Sequence, residues 1–329
     1  MNFKIFFCFC LILTTVSIAA QDKTNPVPVI FDSDMGPDYD DVGALTLLHA
    51  FADSGYVNIL ATVASTKYEG VAAVFNVLNT YFNRPGILIG VPKNKALELK
   101  DFQHWTDTVL IKYPHKINEN NEVPSAVEVY RQLLASQPDG SVTIITVGFL
   151  TNLADLLHSA PDKYSQLDGK TLVKKKVKQL VCMAGAFPSG SEFNVRMDAA
   201  ASQYVVDNWD TRVLFSGVEI GNKIKTGLPL VNNDAIEKSP VKDVYRICVK
   251  MSKEDSGGRK SWDQTAVVVA IKGHEPWWKL ETGRIKIAND GSNTWLKESA
   301  GHHYLAEAIS PSVLEDYINK LMMHKPLKK

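Results

Sequence analysis

The chain has 329 residues, with 36 lysines and arginines balanced by 36 aspartates and glutamates, and 45% of it is hydrophobic. A formal charge of zero offers no electrostatic footprint for nucleic acid or an anionic membrane surface. The apolar share is ample for a globular core, and the length suits one large domain or two small ones.

In chain order, Lys4 comes first and precedes an apolar run from Ile5 to Val16 that closes on Ser17-Ile18-Ala19-Ala20. This reads as a cleavable secretory signal cut after Ala19 or Ala20, since the run is shorter than the ~20 residues a spanning helix needs. The expectation is a signal peptide over residues 1–20, a single α/β domain over 21–329, and a secreted or periplasmic location with no membrane contact after cleavage. Cys8 and Cys10 fall within the signal. Cys182 and Cys248 each sit in an apolar stretch and read as buried free thiols.

Apolar runs of strand length follow at Val27–Phe31, Asn58–Val63, Ile87–Gly90, Val142–Thr146, Gln179–Met183 and Thr211–Phe215. Between them, Val42–Asp53, Gly70–Phe82, Ala126–Ser136, Asn152–Ser159 and Ala199–Asn208 carry apolar residues at helical spacing. Such alternation predicts an open, mostly parallel sheet with helices on both faces. The segment Ala96–Pro124 has no clear period and reads as a long loop or insertion, of the kind that tends to cover a site at the carboxyl edge of such a sheet. The basic run Lys174-Lys175-Lys176-Val177-Lys178 reads as a solvated approach to the strand after it rather than as a phosphate site.

Directly after the first strand, Asp32, Asp34, Asp38, Asp40 and Asp41 crowd into ten residues. A loop there lies at the carboxyl end of a central strand, where open α/β sheets bind ligands. Asp40 and Asp41 then fall in the first turn of a helix, whose dipole stabilises each by ~0.3–1 kcal/mol. That offsets only part of their mutual repulsion. An all-oxygen set without cysteine or histidine points to a hard divalent cation, Ca²⁺ or Mg²⁺ rather than zinc. The plainer alternative is a solvated acidic turn with helix capping. An EF-hand loop is excluded, because its closing Glu is missing and Pro37 replaces the glycine turn.

Asp-x-Asp after a strand, a short Gly-containing turn, Asp-Asp and an apolar helix resemble the calcium motif of the inosine–uridine-preferring nucleoside hydrolases. Three further segments follow in that family's order. Val147-Gly148-Phe149-Leu150-Thr151-Asn152-Leu153-Ala154 is similar to its Gly-Pro-Leu-Thr-Asn-Leu-Ala strand end. Ser191-Glu192-Phe193-Asn194 with Asp198-Ala199-Ala200-Ala201 is similar to its Ala-Glu-Phe-Asn and Asp-Pro-Glu-Ala-Ala pair. Ser261-Trp262-Asp263-Gln264-Thr265-Ala266-Val267 resembles its last metal-bearing segment.

The resemblance implies a calcium ion held by Asp34, Asp41, Asp263 and the backbone carbonyl of Val147, and a nucleoside or related riboside as the small-molecule partner. It makes Asp34 the base that activates a calcium-bound water, Asp40 a contact to the sugar hydroxyls, and Glu192 and Asn194 a ribose-contacting pair. Asp32 would brace the loop, and Asp198 reads as a helix cap. Phe193 would pin its loop as an aromatic anchor. Whether the chain forms a homo-oligomer is left open.

Four departures from the family pattern bear on substrate identity. Five residues separate Asp34 from Asp40 where the best-known members have three, so Asp38 is extra. Ala64-Ser65-Thr66 stands where the family often shows Gly-Asn, and Phe187-Pro188-Ser189-Gly190 stands where Gly-Asn usually precedes the Glu. Trp262 replaces a histidine that some members use as acid for the leaving base, so it is expected to stack on the base or to pack in the core. An acid from elsewhere would have to come from His104, His115, His302 or His303. Two rival functions remain at this level, an exported calcium-dependent sugar- or nucleoside-binding protein without catalysis and a haloacid dehalogenase-type phosphatase.

Overall fold

The computed structural model describes residues 25–327, so the signal-peptide reading lies outside the described residues. Ten strands form one sheet in the order β3-β2-β1-β4-β5-β7-β12-β10-β11-β6. In chain order they are β1 (Val27–Ser33), β2 (Val57–Ala64), β3 (Leu88–Gly90), β4 (Val142–Thr146), β5 (Val177–Met183), β6 (Ser189–Ser191) and β7 (Arg212–Ser216). A separate two-residue pair, β8 (Lys225–Thr226) and β9 (Arg259–Lys260), precedes β10 (Trp278–Ile287), β11 (Ser292–Leu296) and β12 (His302–Glu307). The run from β3 to β12 is parallel, and β10, β11 and β6 close the sheet as an antiparallel end.

The parallel strands are apolar on both sides because each face is covered. Val29, Phe31, Ile145, Val181 and Leu214 enter one core, beneath the helices Asp40–Asp53, Val71–Tyr81, Pro240–Met251, Trp262–Lys272 and Pro311–Met322. Their neighbours Ile30, Ile144, Leu180 and Phe215 enter the other, beneath Ala126–Ser136, Thr151–His158, Gly169–Lys176 and Ala199–Asn208. This is the period-2 side-chain alternation of a doubly covered sheet. Local signals set the helix starts: the Ser125 hydroxyl accepts from the Glu128 amide, and the Ser239 hydroxyl, ahead of Pro240, accepts from the Lys242 amide. Among the described residues no helix is long and apolar enough to cross a membrane.

Cys182 and Cys248 are free and buried, in opposite cores. The sheet between them explains why they form no disulfide. Lys174–Lys176 end a helix, where cations complement its dipole, with Lys174 paired to Asp210 and Lys176 to Asp139. Ala96–Pro124 is more ordered than a loop. It contains the helix Trp105–Lys112, capped by the Asp101 carboxylate on the Trp105 amide, and the short helical turn Asn120–Glu122.

Candidate active site

The order of connections reverses at β1, whose neighbours are β2 on one side and β4 on the other. The crevice at the carboxyl ends of β1 and β4 is therefore the topological switch point of the sheet. A cavity opens there, at the place where open α/β sheets bind small ligands. Its wall is made by Asp34, Asp38, Asp40, Asp41, Val147, Met183, Glu192, Phe193, Asn194, Val218, Trp262 and Asp263. All eight residues expected to contact metal or substrate, from Asp34 to Asp263, line this cavity.

The strand ends are knitted tightly. Asp32 is buried at the end of β1 and accepts from the Tyr130 hydroxyl (2.8 Å) and the Asn152 amide (3.0 Å), and Asn152 also donates to the Ala64 carbonyl (2.7 Å). Burial raises the Asp32 carboxyl to about 7 against these bonds. The Ser33 hydroxyl donates to Asp41 (2.6 Å) and accepts from the Met35 amide (3.0 Å). Ser65, from the segment that departs from the family pattern, accepts from the Phe149 amide (3.1 Å) and so ties the ends of β2 and β4 together. A Cβ on Gly148 would lie 2.4 Å from both the Asp34 amide nitrogen and Ser65 Oγ. Only glycine allows that approach.

Two helices bring the remaining carboxylates. Asp40 and Asp41 occupy the first turn of Asp40–Asp53, and Asp263 the first turn of Trp262–Lys272. A Cβ on Gly43 would stand 2.4 Å from Gln264 Nε2 and from the Tyr245 hydroxyl, so glycine lets the two helices pack this closely. One carboxylate oxygen from each of Asp40, Asp41 and Asp263 then lies within 4.8 Å of the others. This trio differs from the expected ligand set, because it contains Asp40 and not Asp34. Asp40 can approach because its charge is offset: Arg259 Nε and Nη2 reach its Oδ1 at 3.1 and 3.0 Å, and the Trp262 and Asp263 amides donate to its Oδ2 at 3.1 and 3.3 Å.

Burial, reinforced by neighbouring carboxylates, pushes Asp34, Asp41 and Asp263 well above the usual carboxylate range. Burial also lifts Asp40, to about 6, with Arg259 limiting the rise. Asp41 Oδ2 is buried without a protein hydrogen bond. A buried, unbonded carboxylate oxygen amid other carboxylates is the environment a hard divalent cation relieves, and the acceptors of Asp34, Asp41, Val147 and Asp263, all of which line the cavity, are oxygens. The residues fit a metal of that class.

On the far side, Glu192 follows β6 and caps the helix Phe193–Met197. Its carboxylate accepts from the amides of Asn194 (2.7 Å), Val195 (3.1 Å) and Gly185 (3.2 Å), and burial raises it to about 6. Asn194 Nδ2 donates to the carbonyls of Val147 (3.0 Å) and Met183 (3.2 Å). Both side chains thus shape the loop as well as line the cavity. Phe193 packs on Phe149 at 6.0 Å yet stays 37% exposed, so it forms a lip of the cavity more than an anchor. Trp262 is half-buried, its indole N–H donating to the Val218 carbonyl (3.1 Å), with the Arg259 guanidinium 4.7 Å from its ring centroid.

None of His104, His115, His302 and His303 is among the lining residues. His302 is buried in β12, where its ring packs edge-on to Phe215. The segment Ala96–Pro124 contributes nothing to the cavity wall. Its Leu99 carbonyl instead packs against Gly36, beneath the acidic loop. Asp198 caps the helix Ala199–Asn208 through the Ala201 amide (3.2 Å) and takes the Thr151 hydroxyl at 2.5 Å.

Arg259, Met183 and Val218 were not visible as site residues in the sequence. For Arg259 a weak signal existed, a basic pair just ahead of Ser261-Trp262-Asp263. Nothing in the spacing tied it to aspartates more than two hundred residues earlier.

The pyrimidine-specific ribonucleoside hydrolase RihA of Salmonella newport is 27% identical over 210 residues, 60% of this chain and 62% of that protein. An uncharacterised protein of Schizosaccharomyces pombe is 28% identical over 196 residues, 55% and 57% of the two chains. The chain thus spans about three fifths of the length of these curated relatives. The fold matches the inosine-uridine preferring nucleoside hydrolase of Bacillus anthracis at TM-score 0.69 and 16% identity, over 90% of this chain and 99% of that one. Residues 29–305 match the model of the inosine-uridine preferring nucleoside hydrolases, and the chain belongs to that family.

Proposed function

We propose that the protein hydrolyses the N-glycosidic bond of ribonucleosides or related ribosides, with a divalent cation, Ca²⁺ by the chemistry of its ligands, held by Asp34, Asp41, Asp263 and the Val147 carbonyl. The observation that carries the reading is the gathering of four sequence-distant, family-like segments onto one acidic cavity at the switch point. Bound there, the cation would supply positive charge that fixes the sugar diol and makes a water more acidic.

The chain's own residues account for the rest. The water oxygen forms a bond to the anomeric carbon, its proton passes to Asp34, and the carbon–nitrogen bond breaks with its electron pair leaving on the base. Negative potential from the buried carboxylates favours the oxocarbenium-like state between. Glu192 and Asn194 orient the ribose, whereas the acceptor sites of Asp40 are taken up by Arg259 and the Trp262 and Asp263 amides. The backbone donors on Glu192 leave part of its roughly four acceptor sites free for hydroxyls. Trp262 and Phe193 wall the side toward the base, and no histidine is among the described residues that line it.

Release of free ribose from inosine or uridine by the purified protein tests the reading. Binding without release would favour the non-catalytic alternative, and the phosphatase alternative loses its basis with the family. Without an acid at the wall, a p-nitrophenyl riboside, whose leaving group departs unaided, should turn over faster than inosine. The leader-like first twenty residues support export, which amino-terminal sequencing of the protein recovered outside the cytoplasm checks.

A further inference from the structure

The cavity's aspartates come from helix starts 222 positions apart, Asp41 on one and Asp263 on the other, and the contact joining them is Asp40. Its Oδ2 takes both amides at the start of Trp262–Lys272, and its Oδ1 takes the fork of Arg259. The same guanidinium reaches Asp38 at 2.5 Å and faces Asp255 at 3.8 Å. It lies between the rings of Tyr39 and Trp262, 4.8 and 4.7 Å from their centroids, and its side chain is only 11% exposed.

We propose that Arg259 is a positioning residue that sets the spacing of Asp41 and Asp263 for the cation, acting through Asp40. This rests on the metal-dependent reading above. Three carboxylates within 4.8 Å repel one another, and the guanidinium that bonds one of them, Asp40, is held rigidly by that fork and by two aromatic faces. Remove it, and Asp40 pushes against Asp41 and Asp263, driving the helix starts apart. The same guanidinium also pins Asp38, so the acidic turn between Asp34 and Asp40 is fastened to the contact that holds Asp40. A lysine retains the charge but not the fork, and it stacks poorly between two rings.

The test is calorimetric titration of the metal-stripped protein with Ca²⁺ alone, for wild type, Arg259→Gln, Arg259→Lys, Asp40→Asn and the double variant Asp40→Asn/Arg259→Gln, each checked for folding by circular dichroism. Arg259→Gln should bind calcium about 10–100-fold more weakly, the scale for loss of a partner that orients a ligand. Arg259→Lys should fall between it and wild type. In the Asp40→Asn background, Arg259→Gln should add no further loss, and saturating calcium should restore much of kcat in the folded single variant. An unchanged affinity in Arg259→Gln overturns the inference, as do losses that multiply in the double variant. Should Arg259→Gln not fold, Arg259→Lys is read against the same two criteria. A wild type that binds no calcium overturns the metal-dependent reading itself, a result distinct from one that spares it and removes only the role of Arg259.

Discussion

The floor of the cavity and its aromatic wall are built by different physics. At the floor, Asp34, Asp40, Asp41 and Asp263 are almost wholly buried on strand and helix ends, and bonds to Ser33, Arg259 and the backbone amides of Trp262 and Asp263 fix two of them. At the wall, Phe193 and Trp262 are partly open, and Phe193 rides on a five-residue helix after a three-residue edge strand. Electrostatic work needs charges that cannot relax, so it sits where the backbone is over-determined. On the proposed function, recognition of a flat ring falls to Phe193 and Trp262, where contact area counts for more than precision. The floor should therefore govern whether reaction occurs, and the wall which ligand is preferred.

The comparison breaks most sharply with the metal. Stripping the protein with a chelator should abolish turnover, and calcium should restore it in preference to zinc, because the donors are all oxygen. Full activity in a preparation shown metal-free by elemental analysis would mean that the floor works by its own charges. Next in size, Asp34→Asn retains an oxygen for the cation but not the base, so kcat should fall about 10²–10⁴-fold with calcium still bound. Near-normal turnover with metal in place would move the base elsewhere.

At the wall the effects should be smaller and fall on affinity. Trp262→Ala should weaken binding of aromatic-base nucleosides by about 1–3 kcal/mol, the scale of base–aromatic stacking. Unchanged inosine and uridine kinetics in a folded variant would show that the indole serves Arg259 and Val218 alone. Smallest of all, Asp198→Ala removes a helix cap that does not line the cavity, costing about 0.5–2 kcal/mol in thermal or denaturant unfolding. A large loss of turnover without loss of stability would draw Asp198 into the site.

What the sequence made legible follows the same division. Val27–Ser33, Val57–Ala64 and Val142–Thr146 announce themselves because strands buried on both faces need unbroken apolar runs. The carboxylates were equally plain, since so many charges beside a strand require a compensating partner. The antiparallel end was not read. Trp278–Ile287 alternates buried Trp278, Ile285 and Ile287 with Lys279, Glu281 and Lys286, and a half-exposed strand of that kind resembles ordinary surface. The Asp290-Gly291 turn before β11 was its one local cue. That end matters, for β6 pairs with β11 and delivers Glu192 and Asn194 to the cavity. Arg259 was illegible for another reason: two of its carboxylate partners, Asp38 and Asp40, lie more than two hundred residues earlier, and a salt bridge over such a separation leaves no periodic trace.

The two thiols on opposite sides of the sheet give the protein a built-in pair of unfolding reporters. Cys182 and Cys248 are fully inaccessible, and burial pushes both up in pKa, away from the reactive thiolate. An aromatic disulfide reagent can therefore label either only when its own helical layer lifts, and mass spectrometry of the labelled peptides reads each layer separately. Equal labelling rates at the two positions would reveal a single cooperative opening, and unequal rates would identify the layer that breathes first.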